Sequence, residues 1–140
     1  MSKPLAIGVV VAIAGISVAL FFAMYSVRTQ VNGTISGQGG KLGTWTMRPD
    51  ECESGERDQF RGVSLYETEN AVRVTYIDPI GGTPSLAINT ERASCKLLEG
   101  KIERKNGMSN HIWNISGYVR FDCTWNGGHV TGDVVFDNCH

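Results

Sequence analysis

Residues 112–137 read IWNISGYVRFDCTWNGGHVTGDVVFD, two runs with apolar residues at alternate positions on either side of Trp125-Asn126-Gly127-Gly128. Alternation with a period of two marks a strand with one buried face, and Asn-Gly is the strongest short signal for a two-residue hairpin turn. With Asn126-Gly127 as the turn, Trp113, Ile115, Val119, Phe121 and Cys123 share one face, and Val130, Val134 and Phe136 lie on that face across the pair. Phe121 then stands opposite Gly132 and Phe136 opposite Gly117, so aromatic rings cover bare backbone. Arg120 meets Asp133 on the outer face. Moving the turn to Gly127-Gly128 would instead oppose Asp122 to Asp133, two like charges. The first register is the expected one.

Upstream of the hairpin, short alternating runs are broken by turn residues, as in antiparallel β structure. Trp45 and Met47 begin the series, which Arg48-Pro49-Asp50 interrupts. Val63 and Leu65 follow Gly62, where a bulge or bend is expected. Val72, Val74 and Tyr76 form a third run, ended by Asp78-Pro79-Ile80-Gly81-Gly82, and Leu86 and Ile88 a fourth. A weaker fifth spans Cys95 to Ile102, and Asn106-Gly107 marks the next reversal. Residues 43–140 are therefore expected to fold as an all-β domain, an antiparallel β-sandwich or partly open barrel of about 7–8 short strands.

Four cysteines allow three pairings. Cys123 faces the core side, while Cys139 falls on the opposite parity near the far end of the partner strand. Their Cα atoms are thus expected to lie beyond the roughly 7 Å that a disulfide spans. Cys95–Cys123 inside the sandwich with Cys52–Cys139 tying the first loop to the C-terminus is the preferred pairing; Cys52–Cys123 with Cys95–Cys139 is the alternative. Disulfides persist outside the reducing cytosol, so the domain is expected to be extracytoplasmic.

Leu5 to Val27 is an uncharged apolar run between Lys3 and Arg28. About 20 apolar residues span a bilayer as a helix, and about a dozen Leu, Ile, Val and Phe here each contribute roughly −0.3 to −0.6 kcal/mol to insertion. A cleaved signal peptide has a shorter core and a small-residue exit. Cutting at the one formal match, Ser17-Val18-Ala19, would leave Leu20-Phe21-Phe22 as the new terminus, so residues 1–28 read as a short cytoplasmic N-terminus and an uncleaved transmembrane signal-anchor helix. The expected placement is the plasma (inner) membrane, with the C-terminal domain periplasmic or extracellular. Gly8, Ala12, Gly15 and Ala19 form a stripe of small side chains, which lets membrane helices pack closely. Partners are accordingly the lipid bilayer through residues 5–27 and a membrane protein or a second copy of the chain.

Residues 29–42 contain Gly33, Gly37, Gly39 and Gly40 among polar residues, the composition of a flexible tether. Gly37-Gln38-Gly39-Gly40-Lys41 is no phosphate loop, because Leu42 stands where Ser or Thr would meet magnesium. No basic patch suits a nucleic acid. Asn32-Gly33-Thr34 and Asn114-Ile115-Ser116 match the glycosylation pattern.

The densest acidic stretch runs from Asp50 to Asp58. Asp50, Glu51 and Glu53 could offer oxygen ligands to calcium, although the Asp-x-Asp-x-Asp-Gly order is absent and a solvated loop is the plainer reading. Trp45 and Trp113 have core parity; only Trp125, beside the turn, is placed where it could be exposed and stack on a sugar, and core packing is the plainer reading for all three. His111, His129 and His140 lack metal-ligand spacing, no nucleophile elbow is present, and no cofactor is implied. The layout, an apolar N-terminal helix before a disulfide-closed β domain, resembles that of type IV pilins. The Gly-Phe processing site and the Glu within the span of that family have no counterpart here, so the likeness is one of layout. The expected function is that of a non-catalytic interaction or assembly module, an accessory subunit of a membrane complex or surface assembly. A glycan- or calcium-binding envelope domain, a pilin-like filament subunit, and a hydrolase drawing carboxylates from several strands are the alternatives.

Overall fold

The computed structural model describes residues 28–55, 61–109 and 111–140. The apolar run, with its stripe Gly8, Ala12, Gly15 and Ala19, lies outside the described residues, as do residues 56–60 of the acidic stretch. Among the described residues no helix is long and apolar enough to cross a membrane, and ten strands form two antiparallel sheets.

The first sheet has the order β2-β1-β10-β9-β8: β1 is Gln30–Gly39, β2 Trp45–Met47, β8 Ser94–Ser109, β9 Ile112–Trp125 and β10 Gly128–Cys139. The hairpin β9–β10 has the register read from its residues: Phe121 lies opposite Gly132, Phe136 opposite Gly117 and Arg120 opposite Asp133. Asn126 (φ 50°) and Gly127 (φ 74°) are both left-handed, as a turn matching the right-handed twist of the strands requires. A Cβ on Gly132 would stand 2.5 Å from the Phe121 ring, so only glycine allows that aromatic cover.

The second sheet has the order β3-β4-β5-β6-β7: β3 is Glu51–Ser54, β4 Gly62–Tyr66, β5 Arg73–Ile77, β6 Ser85–Ile88 and β7 Glu91–Arg92. Its inner face is set by alternation, with Val63 and Leu65, Val74 and Tyr76, and Leu86 and Ile88 all buried. They pack on Ile35, Met47, Ile115, Val119, Phe121, Val134 and Phe136 of the first sheet. Each such aliphatic or aromatic side chain contributes about 1.5–3 kcal/mol on burial. β3 meets β1, β10 and β9, while β6 meets β8, so the two sheets face each other across the core as in a β-sandwich. The chain changes sheets within a few residues at Pro49 and at Ala93.

Several expectations need correction. Residues 29–42 are not a tether: β1 pairs along its whole length with β10 and is edged by β2. Its glycines serve close packing, since a Cβ on Gly37 would stand 2.3 Å from the Trp45 ring and one on Gly33 2.1 Å from the Asp133 carbonyl oxygen. Asn106-Gly107 does not reverse the chain. It lies in an irregularity between the Arg104–Ile115 and Met108–Trp113 pairs, and the reversal comes between Ser109 and Ile112, where His111 has φ 64°. Gly62 marks no bend but pairs regularly with Ile77.

Cys52 bonds Cys139 and Cys95 bonds Cys123. The first bridge joins β3 to β10, and so one sheet to the other. The second does not cross the sandwich interior. It links the neighbouring strands β8 and β9 at directly opposed positions, with Cα atoms 3.9 Å apart.

Candidate functional site

On the outer surface of the second sheet, polar side chains of β3, β4 and β5 bond one another. Ser64 and Thr75 share a hydrogen bond of 2.9 Å across β4 and β5. The Tyr66 hydroxyl donates to Glu53 at 3.0 Å, Arg73 pairs with Glu53 at 2.8 Å, and the Arg73 guanidinium lies 4.3 Å from the centre of the Tyr66 ring. The Tyr66 hydroxyl titrates above its ordinary value, through burial first and then its bond to Glu53.

The outer surface of the first sheet differs. Register sets Tyr118 of β9 beside Val135 of β10 and Lys101 of β8 beside Tyr118. Tyr118 is 40% exposed and Val135 55%. They lie in a shallow depression of ≈ 500 Å³. Ion pairs frame it: Arg120–Asp133 at 3.1 Å, Lys101–Glu103 at 2.6 Å and Lys105–Asp137 at 3.1 Å. The hydrogen bond from Lys101 holds the Glu103 carboxyl below its usual value and raises the Lys101 ammonium. The result is a small apolar couple inside a ring of both charge signs. Such a surface offers burial at its centre and orientation at its rim.

The residues singled out in the sequence do not assemble into a site. Asp50 accepts from the Thr68 amide at 2.9 Å and from the Thr68 hydroxyl at 3.2 Å, a local cap that occupies the carboxylate. Glu51 and Glu53 point outward from β3, whereas Cys52 and Ser54 point inward, so part of the acidic stretch is strand rather than loop. Among the described residues no three His, Cys, Asp or Glu are grouped to hold a metal.

Trp125 is not an exposed platform: it packs against the core, and its indole nitrogen is enclosed without a hydrogen-bond partner. Trp113 in turn is not a core residue. It shares parity with Ile115 but lies past Cys139, where β10 has ended, and the Arg104 guanidinium covers its ring at 4.8 Å. Of the glycosylation matches, Asn32 is exposed, while Asn114 is 7% exposed and donates to Asn138 at 3.0 Å.

At the other end of the hairpin, Asp122 meets Lys96 at 3.0 Å and His129 at 2.5 Å, beside the Cys95–Cys123 bridge. The Asp122 carboxyl titrates below its usual value, through Lys96 first and His129 second. The neighbouring Thr124 hydroxyl is directed to the Ser94 carbonyl at 3.4 Å rather than to His129, so it is not poised as a nucleophile activated by that imidazole.

Tyr118 and Val135 were legible but overlooked. In the register expected from the Asn126-Gly127 turn they are opposed on the outer face, where two apolar side chains stand out against Arg120, Asp122, Asp133 and Asp137. Comparison with protein-family models, with curated proteins and with solved structures finds no match to this chain.

Proposed function

We propose that the chain is a single-pass membrane-anchored envelope protein whose extracytoplasmic β domain is a non-catalytic interaction or assembly module, an accessory subunit of a membrane complex or surface assembly. Both disulfides favour an oxidising compartment. The apolar run that ends at Val27 lies three residues before the start of β1 at Gln30, so the folded domain would sit directly on the membrane rather than at the end of a tether. The stripe Gly8, Ala12, Gly15 and Ala19 supplies a second contact, within the bilayer.

The observation that carries the reading is the Tyr118–Val135 couple, exposed between ion pairs on the face of the longer-stranded sheet. Carboxylates that a hydrolase would need free are matched to cations in Glu53, Glu103, Asp122, Asp133 and Asp137. Purification of the full chain in mild detergent should give a self-associated or partner-bound species. Val135→Arg should dissociate it without lowering the melting temperature, because the site is on the outer face. A wild-type protein that is strictly monomeric and partnerless would remove the proposal. Gly15→Ile separates the two contacts, weakening only association that runs through the helix.

A further inference from the structure

The tip of the β8–β9 hairpin stands at the end of the sheet from which the apolar run departs. Gln30, the first residue of β1, pairs with Asp137 near the end of β10. Two residues, Arg28 and Thr29, separate Gln30 from Val27, and the three steps give an extended reach of about 10 Å at most. Val31 pairs with Phe136 and Phe136 with Gly117, so Val31 and Gly117 are level, and from there β9 reaches five residues farther to Ile112, about 17 Å at the rise of a strand. Two strands lie between β1 and β8, which puts the two exits about 14 Å apart at the usual strand spacing. The end of β9 thus lies at least as far beyond Gln30 as the chain can reach in the steps back to Val27.

The tip has the composition of a membrane interface. Met108 is 49% exposed and directly opposite Trp113. The Trp113 ring extends beyond the core and carries the Arg104 guanidinium at 4.8 Å. Trp collects at the level of lipid headgroups, and a long cationic side chain lays its stem along apolar surface with its charge in the polar layer. Residues 104–113 hold Arg104, Lys105 and His111 and no Asp or Glu, although the domain as a whole is acidic. At the opposite end of the sheet stand the Asn126-Gly127 turn and Gly39-Gly40.

We infer that Met108 and Trp113, with Arg104 over the ring, rest in the phospholipid headgroup layer of the bilayer that residues 5–27 cross. The inference builds on the anchor in the proposed function. It assigns a second, peripheral contact that would fix the tilt of the domain and the direction in which the Tyr118–Val135 face points.

The test uses the full chain in vesicles of phosphatidylcholine and phosphatidylglycerol, with an environment-sensitive fluorophore on Met108→Cys and, in a separate variant, on Asn126→Cys. Flotation on a density gradient is read first. The expected result is that both variants float and that a shallow lipid-borne nitroxide quenches the label at 108 several-fold more than the label at 126. Floating protein with equal, weak quenching at both positions would overturn the inference and leave the anchor standing. A label at 108 that is shielded from water yet not quenched would indicate a protein contact and overturn the lipid assignment. Protein that does not float would overturn both. If an added thiol disturbs disulfide formation, brominated lipid and the native tryptophans give the same reading. Quenching should then be present in the unmodified chain and abolished in Trp113→Phe; quenching unchanged in that variant would overturn the inference.

Discussion

The two sheets are built on different terms. The first has strands of 10, 16, 14 and 12 residues in β1, β8, β9 and β10. The second has none longer than the 5 residues of β4 and β5. Long strands with a tight hairpin bring much of their pairing with them. Short strands at the edge of an open sheet rely on what they are packed against. Their outer surfaces differ in the same sense. On the second sheet, Glu53, Tyr66, Arg73, Ser64 and Thr75 bond one another; on the first, Tyr118 and Val135 are left exposed between ion pairs. The shorter sheet is a lid on the core, held by a covalent tie, and the longer one is both frame and presenting face.

Breaking the tie should give the largest effect. Cys52–Cys139 closes a separation of 87 residues and Cys95–Cys123 one of 28. On the chain-entropy estimate these contribute about 4.6 and about 3.6 kcal/mol, and because the shorter loop lies inside the longer the two do not add. Cys52→Ala/Cys139→Ala should therefore cost more stability in urea than Cys95→Ala/Cys123→Ala. The location of the loss matters more than its size. Amide exchange should rise first in β3, β4 and β5 when the inter-sheet bridge is removed. When the other bridge is removed, which lies within the frame, no such asymmetry should appear. Equal loss of protection in both sheets would dissolve the contrast between lid and frame.

Next in size is the contact through which the frame fills the core. Phe121 is 2% exposed, and its ring lies on Gly132, so Phe121→Ala removes a large buried ring above bare backbone that cannot fill the gap. A cost of about 3–5 kcal/mol is expected. Gly132→Ala attacks the same contact from the other side, and a new methyl 2.5 Å from the ring should cost about 1–3 kcal/mol by overpacking. Denaturation midpoints of the two variants would show whether the ring-over-glycine register supports the frame. A Gly132→Ala variant as stable as the parent would remove that role.

How much of this was legible depended on whether a strand's signal lay in its own residues. The β9–β10 hairpin carries alternation, an Asn-Gly turn and an Arg120–Asp133 pair, all local, and its register follows from them. β1 carries the same alternation, with Val31 and Ile35 inward and Asn32, Thr34, Ser36 and Gln38 between. Gly33 and Gly37 made it read as a tether, because what those glycines admit, the Asp133 carbonyl and the Trp45 ring, belongs to other strands. Asn106-Gly107 misled for the opposite reason: a strong local turn signal was overridden by the pairing that carries β8 past it to Met108. β3 was masked by charge, since Cys52 and Ser54 are the inward residues between Glu51 and Glu53. The candidate face needed no further information than the hairpin register, read on its outer side.

The smallest effect tests a place where the outer surface of the first sheet is knitted across three strands. Lys96 of β8, Asp122 of β9 and His129 of β10 join three strands through one carboxylate. The Asp122 pKa in the folded chain is depressed, by Lys96 first and His129 second. A carboxyl with a lower pKa folded than unfolded adds stability above its unfolded value, and that stability is lost as pH falls through the folded value. The contribution should therefore be complete at neutral pH and fade only under strongly acidic conditions. A carbon-13 carboxyl titration should place Asp122 below an ordinary aspartate. Lys96→Met should return it toward the ordinary value by more than His129→Phe does. If instead the two variants move it equally, or His129→Phe moves it more, the link from β8 is not the principal one.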